Sequence, residues 1–93
     1  MDVNLKDQLL LMKFKENRYG GVEGSVKGFH FTVTENPFNL VVIYSFISKR
    51  EIMVPTEFPL PKNADLQMIC KCIIGIIEGK DSIEIYNDLD LLN

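Results

Sequence analysis

The sequence predicts one domain of the α+β class, in which helices pack on one face of an antiparallel sheet. Three observations predict it: polar residues at helical spacing in 63–79, an alternating pattern around a turn in 22–34, and a β-branched run in 40–47. The expected order is an N-terminal helix, a three-to-four-stranded antiparallel meander, a long buried helix over 63–79 on one sheet face, and a short C-terminal tail element.

The N-terminal helix is expected over residues 4–18. Asn4 suits a helix start, and the segment is rich in good helix formers. The pair Gly20-Gly21 is expected to end it. A strand is the competing interpretation, because apolar residues alternate with lysines between positions 10 and 15.

The meander is predicted from three segments. Residues 22–34 predict a β-hairpin with Lys27-Gly28 as its two-residue turn. Residues 40–47 predict a strand inside the sheet, because the run is apolar and β-branched. Residues 51–55 predict a short edge strand that ends at a proline.

Residues 56–62 predict an extended, proline-rich connection into the helix over 63–79. Asn63 or Asp65 is expected to cap that helix at its N-terminus. Gly79 is expected to close it in the left-handed conformation.

The helix over 63–79 has an unusually broad apolar surface. Its polar positions share one sector of roughly 80° on a helical wheel: Gln67, Lys71, Gly75 and Glu78. The remaining surface, about 240°, is more than one sheet can bury. The helix therefore needs cover on two sides, from its own chain or from a partner.

Two covers are expected from within the chain. The first is one side of the meander, carrying Phe29, Phe31, Val33, Val41 and Ile43. The second is the N-terminal segment, if it is a helix. If that segment is a strand instead, part of the flank formed by Met68, Cys72 and Ile76 is left for a partner or a second copy.

The segment after Gly79 allows two interpretations: a short helix capped by Ser82, or an edge strand in which Ile83 and Ile85 alternate. The whole chain, residues 1–93, is expected to form a single domain. Residues 87–93 are a candidate flexible acidic tail.

Composition narrows the class of protein. Apolar residues make up 46% and charged residues 25% of the chain, which is ordinary for a soluble globular protein. No apolar run approaches the length of a membrane span, and no signal peptide is recognisable, so a cytoplasmic location is expected. The net charge of −3 divides into +2 for residues 1–50 and −5 for residues 51–93. The acidic half disfavours nucleic acid as the main ligand.

No catalytic or cofactor motif is recognisable. His30 is the single histidine, and it lies mid-strand between two phenylalanines that face the other way. Cys70 and Cys72, separated by one residue, point to different sides of a helix and cannot chelate one metal. They are expected to be free core thiols, and no metal or cofactor is expected. The glycines do not precede a helix with a phosphate-binding lysine.

The favoured function is that of a small, non-catalytic binding protein that acts on a protein partner as an inhibitor, an immunity- or antitoxin-like protein, or an adaptor. Acidic groups would steer it toward a basic patch and an apolar cluster would anchor it; a homodimer is compatible with this. The candidate partner-binding residues are the polar positions of the long helix and the acidic positions that follow it: Gln67, Lys71, Gly75, Asp81, Glu84, Asp88 and Asp90.

Two alternatives are kept. The first is a nucleic-acid-associated regulator that uses the basic N-terminal half, Lys13, Lys15, Arg18 and Lys27, with stacking on Phe29 and Phe31. It requires the rings to be exposed on the same face as the basic side chains. The second is a small enzyme or enzyme subunit, which requires a deep pocket that holds His30 with a carboxylate.

Overall fold

The structure, a computed structural model, describes residues 1–47 and 55–91 of the 93-residue chain. In chain order its elements are helix α1 (Val3–Leu11), strands β1 (Lys15–Glu16), β2 (Val22–Val26), β3 (Phe29–Glu35), β4 (Asn39–Phe46) and β5 (Thr56–Pro61), and helices α2 (Leu66–Ile77) and α3 (Ser82–Asp88). The strands form one antiparallel sheet in the order β1-β2-β3-β4-β5. The predicted α+β class is confirmed, and the described residues form five strands where three to four were expected.

The predicted hairpin is formed by β2 and β3. Lys27 and Gly28 have φ values of 49° and 83°, the pair of positive angles that a type I′ turn requires. The predicted inner strand is β4, which pairs with β3 on one side and β5 on the other.

Strand register decides which side chains face the helices. One row of paired residues crosses four strands and is buried throughout: Val22, Val33, Val42 and Phe58. Successive residues of a strand point to opposite faces. Val41 and Ile43 therefore lie on the face away from the helices, and the prediction that they share a side with Phe31 is wrong. From β4, Leu40 and Val42 face the helices instead and belong to the core.

Strand β5 lies where the sequence predicts only a connection, so that prediction is wrong. It pairs with β4 although it contains Pro59 and Pro61. The prolines are tolerated because β5 is an edge strand, where an N–H that points outward is not needed. Phe58 and Leu60 between them are buried. Of the edge strand predicted earlier in the chain, residues 51–54 lie outside the described residues.

Helix α1 ends at Leu11, so the helix predicted to residue 18 is too long. Lys13 takes a φ of 72° and turns the chain into β1. The apolar side chains of the segment spread around the helical wheel, and a longer helix could not bury them together. After the turn Phe14 is buried, with its ring close above Gly24.

The ends of α2 follow the predicted signals. The Asp65 carboxylate accepts a hydrogen bond from the Met68 N–H at 2.9 Å, so Asp65 rather than Asn63 is the cap. Gly79, with φ at 77°, allows the Lys80 N–H to donate to the Gly75 carbonyl at 3.0 Å. This six-to-one bond closes the helix in a Schellman motif.

All three helices share one core with the inner face of the sheet. Their buried members are Leu5 and Leu9 of α1, Ile69, Cys72, Ile73 and Ile76 of α2, and Ile85 of α3. Helix α3 covers the flank of α2 that carries Cys72, with Ile85 over Gly75, and the end of α1 lies with Met12 on the opposite flank beside Cys70 and Ile73. Cys72 is therefore buried within the chain.

The segment after Gly79 forms the helix α3. Its cap is Asp81, whose carboxylate accepts from the Glu84 N–H at 2.8 Å, whereas Ser82 is the first helical residue. The Tyr86 ring lies 4.7 Å from that of Phe58 between centroids. Leu89, within the stretch considered as a tail, is buried in the same core.

Candidate functional site

Helix α2 keeps one large apolar side chain in solvent. Ile74 is 53% exposed, although the helix is covered by the sheet, α1 and α3. It lies on the outer stripe of the helix with Gln67, Lys71 and Glu78, all exposed. A single exposed isoleucine is ordinary on a protein surface. Ile74 differs because it borders two hollows of opposite character.

The first hollow is an apolar groove of about 180 Å³ between α2 and the end of β2. Its walls are Met12, Phe14, Val26, Cys70, Ile73, Ile74 and Ile77. The groove lies where β1 has ended, because that strand covers β2 only as far as Glu23. A cavity of about 150 Å³ accommodates benzene, so the groove has room for one large apolar side chain.

The second hollow, of about 330 Å³, is charged and lies between α2 and α3. Its lining residues are Lys71, Ile74, Gly75, Glu78, Lys80 and Asp88. The Lys80 ammonium donates to the Asp88 carboxylate at 2.8 Å and lies 3.7 Å from that of Glu78. The hydrogen bond to Asp88, followed by the charge of Asp88, raises the pKa of Lys80. The hollow thus holds two cations and two carboxylates in a partly paired network.

The structure brings together three of the predicted site residues. Lys71, Gly75 and Asp88 line the charged hollow, and Gln67 lies one turn away on α2. The three remaining residues lie at the ends of α3: Asp81, Glu84 and Asp90. Asp81 and Asp88 already bind groups of this chain.

Gly75 is explained by packing inside the chain. A Cβ built on it would lie 2.7 Å from Cγ1 of Ile85, so a side chain of α3 occupies the space that the glycine leaves. Gly75 therefore allows α3 to pack closely on α2.

Sequence reasoning missed Ile74 and the groove. A signal for Ile74 exists: on the wheel it lies within about 20° of Gln67, at the border of the polar sector. No local pattern joins Met12 and Val26 to α2, because that contact depends on where β1 ends.

The two cysteines differ in access, which gives a first prediction. Cys72 is buried and Cys70 borders the groove. Burial raises the pKa of both thiols, that of Cys72 to about 12. A maleimide reacts with the thiolate form of cysteine and needs access to its sulfur atom. It should therefore label Cys70 in the folded protein and Cys72 only after unfolding. Tryptic mapping separates the two thiols at Lys71, and equal labelling rates would contradict the expectation.

The raised pKa of Cys72 also makes the free energy of unfolding depend on pH. In the unfolded chain Cys72 ionises near its ordinary pKa of 9.0, whereas in the folded chain it stays protonated to about 12. Rising pH between these values favours the unfolded chain, by up to about 1.4 kcal/mol per pH unit. Urea unfolding at about pH 8 and pH 10 measures the loss. Cys72→Ala should reduce it more than Cys70→Ala, and identical losses in both variants would contradict the assignment.

His30 lies in a third hollow, of about 270 Å³, on the sheet face away from the helices. Its Nε2 is 3.9 Å from Oε2 of Glu23, which is too long for a hydrogen bond, and the side chain is 39% exposed. Lys13, Lys15 and Ser25 complete the lining with Gly24. This open surface differs from the deep pocket that the enzyme alternative requires.

The nucleic-acid alternative requires exposed rings beside its basic residues. Phe31 is buried, and Phe29 is half-buried against Phe31 and Phe46 on the helix-facing side of the sheet. Arg18 lies in the loop before β2, with its guanidinium 5.7 Å from the Tyr19 ring, whereas Lys27 lies at the other end of that strand. These rings and cations do not form one stacking surface.

A polar hollow of about 320 Å³ lies between the N-termini of α1 and α2. Its charged groups already bind parts of this chain. The carboxylates of Asp2 and Asp65 cap the two helices, and Glu35 lies 3.4 Å from Lys62. These side chains therefore have structural roles in helix capping and ion pairing.

Within residues 1–47 and 55–91, no cluster of three or more His, Cys, Asp or Glu side chains is placed to hold a metal ion. In the same part of the chain, no helix has the length and apolar character needed to cross a membrane. Comparison of the chain with protein-family models, with curated proteins and with solved structures finds no match.

Proposed function

We propose that this chain is a small, non-catalytic binding protein that acts on a protein partner through the surface centred on Ile74. The observation that supports the proposal is the position of this side chain. It is half-exposed between a groove that takes an apolar group and a hollow that offers paired charges.

The arrangement has the anatomy of a protein-binding surface. Such surfaces place an apolar anchor at the centre and polar groups around it, and the anchor supplies most of the binding energy. Here Ile74 and the groove are the centre, and Lys71 and Glu78 flank Ile74 on the same helical stripe.

The charges around Ile74 differ from side to side. On the α3 side lie the carboxylates of Glu78, Glu84 and Asp88, and Lys80 offsets part of their charge. Beyond the groove, Lys27 lies in the turn that ends β2, and Lys13 and Lys15 line the hollow around His30 on the opposite face of the sheet. A partner that fits presents a basic region to α3 and an acidic region to the end of β2.

The test substitutes the anchor. Ile74→Asp places a charge in the apolar centre and should weaken binding by about 30-fold or more. Tagged wild-type chain is used to capture partners from the native host, and the affinity of a stoichiometric captured protein is then measured in purified form by calorimetry.

Ile83→Asp is the matched control, because Ile83 is 69% exposed on α3 and borders neither hollow. It should bind within about twofold of the wild type. Equal affinity of the Ile74→Asp and wild-type chains would contradict the proposed surface. Recovery of nucleic acid without a protein would favour the first alternative.

A further inference from the structure

Next to the groove, strand β2 has an open edge. β1 pairs with β2 at Val22 and Glu23 and goes no further, since Lys13 turns the chain away. We propose that the groove and this edge together receive an extended, acidic segment of the protein partner, which pairs with Ser25 as an added strand. The inference rests on the proposed function and specifies what the partner presents.

Ladder geometry points the backbone of Ser25 outward. In a hairpin with a two-residue turn, the residues that flank the turn, here Val26 and Phe29, exchange both hydrogen bonds, and outward positions alternate with inward ones. The Gly21 carbonyl fits this alternation, because it accepts from the Asn17 N–H on the β1 side at 3.0 Å. Among the described residues, no group pairs with the outward N–H or C=O of Ser25.

An added strand would divide its side chains between two faces. Residues paired across strands share a face. A residue opposite Ser25 faces the His30 hollow, and a residue opposite Val26 faces the groove. A partner segment therefore needs an apolar side chain for the groove next to a side chain that suits the other hollow.

Charge identifies that second side chain as acidic. Lys13 and Lys15 line the hollow with Ser25, and Lys27 is exposed two residues further along. The carboxylate in this hollow, that of Glu23, lies beside His30. A segment that alternates acidic and apolar residues complements both faces, in the mode by which extended peptides add to a sheet edge.

The opposite edge of the sheet is closed to such a strand. Pro59 and Pro61 have no N–H, so the outward positions of β5 lack these donors. The Pro59 carbonyl already accepts from the Tyr86 hydroxyl at 2.9 Å. A strand that adds to this sheet is thus favoured at the β1–β2 end over β5.

The probe is a synthetic peptide, acetyl-Ser-Glu-Leu-Glu-Leu-Glu-Ser-amide, titrated into the full chain by fluorescence polarisation and amide NMR. Ser25→Pro removes the outward N–H without removing a donor to β3, since the neighbours of Ser25 make the bonds to β3. We expect it to bind the peptide about tenfold more weakly than the wild type. Ser25→Ala, which keeps the N–H, should bind within about twofold.

Amide exchange in the wild-type chain tests the same contact without a variant. The peptide should slow exchange of the Ser25 N–H by about tenfold, and a peptide with lysine in place of glutamate should bind more weakly. Equal binding of both peptides, or a folded Ser25→Pro variant with unchanged affinity, would overturn the inference. If the peptide fails to bind while Ile74→Asp still abolishes partner capture, the added strand is refuted and the proposed function stands.

Discussion

Leu9→Ala is expected to lower the free energy of unfolding by about 3 kcal/mol. Leu9 is fully buried, and with Leu5 it makes up the buried side of α1. Removal of its side chain leaves a cavity in the core that α1 shares with α2 and the sheet. Urea unfolding followed by circular dichroism measures the change.

The same helix supplies the control. Leu11 is 86% exposed, so Leu11→Ala removes the same atoms from solvent-exposed surface and should change stability by less than about 0.5 kcal/mol. The comparison holds residue type and helix constant and varies only burial. If both substitutions cost the same, α1 does not cover α2 in the way described.

Gly75→Ala is expected to destabilise the protein, although alanine is the better helix former. The added Cβ would lie 2.7 Å from Ile85, and such overpacking costs about 1–3 kcal/mol against a helix-propensity gain of about 1 kcal/mol. We therefore expect a net loss of up to about 2 kcal/mol in urea unfolding.

A second substitution reverses the sign of this effect. In an Ile85→Ala background the space above Gly75 is open, so Gly75→Ala should stabilise that variant by up to about 1 kcal/mol. The double-mutant cycle then gives a coupling of about 2 kcal/mol between positions 75 and 85. A cycle that closes without coupling would show that α3 does not pack on Gly75.

The fold class was predictable because its strongest signals are local. The turn at Lys27-Gly28, the cap at Asp65 and the closing glycine at position 79 each act within a few residues of chain. The sequence also predicts that α2 requires two covers, and the chain supplies both.

Two errors come from contacts that the local pattern does not contain. Proline argued against a strand over 56–62, but on the outer edge of β5 the missing N–H removes no ladder bond. The face of Val41 and Ile43 depends on register, and a shift of one residue exchanges the two faces of a strand. Neither an edge position nor a register is visible in a short segment.

The candidate site was predictable only in part. The polar stripe of α2 and the acidic residue Asp88 were expected from spacing and charge, and the structure places Lys71, Gly75 and Asp88 in one hollow. The apolar groove was not expected, because Met12 and Val26 meet α2 only after the chain has folded.

The closed edge of β5 has a consequence for assembly. Open-ended growth of a fibre by strand addition requires each molecule to accept a strand on one edge and offer one on the other. With prolines at two outward positions of β5 and a hydroxyl bonded to the carbonyl of Pro59, the second edge is a poor template for a further strand. We therefore expect edge pairing through β2 to stop after a single addition, so that the molecule can expose a strand edge without starting a polymer.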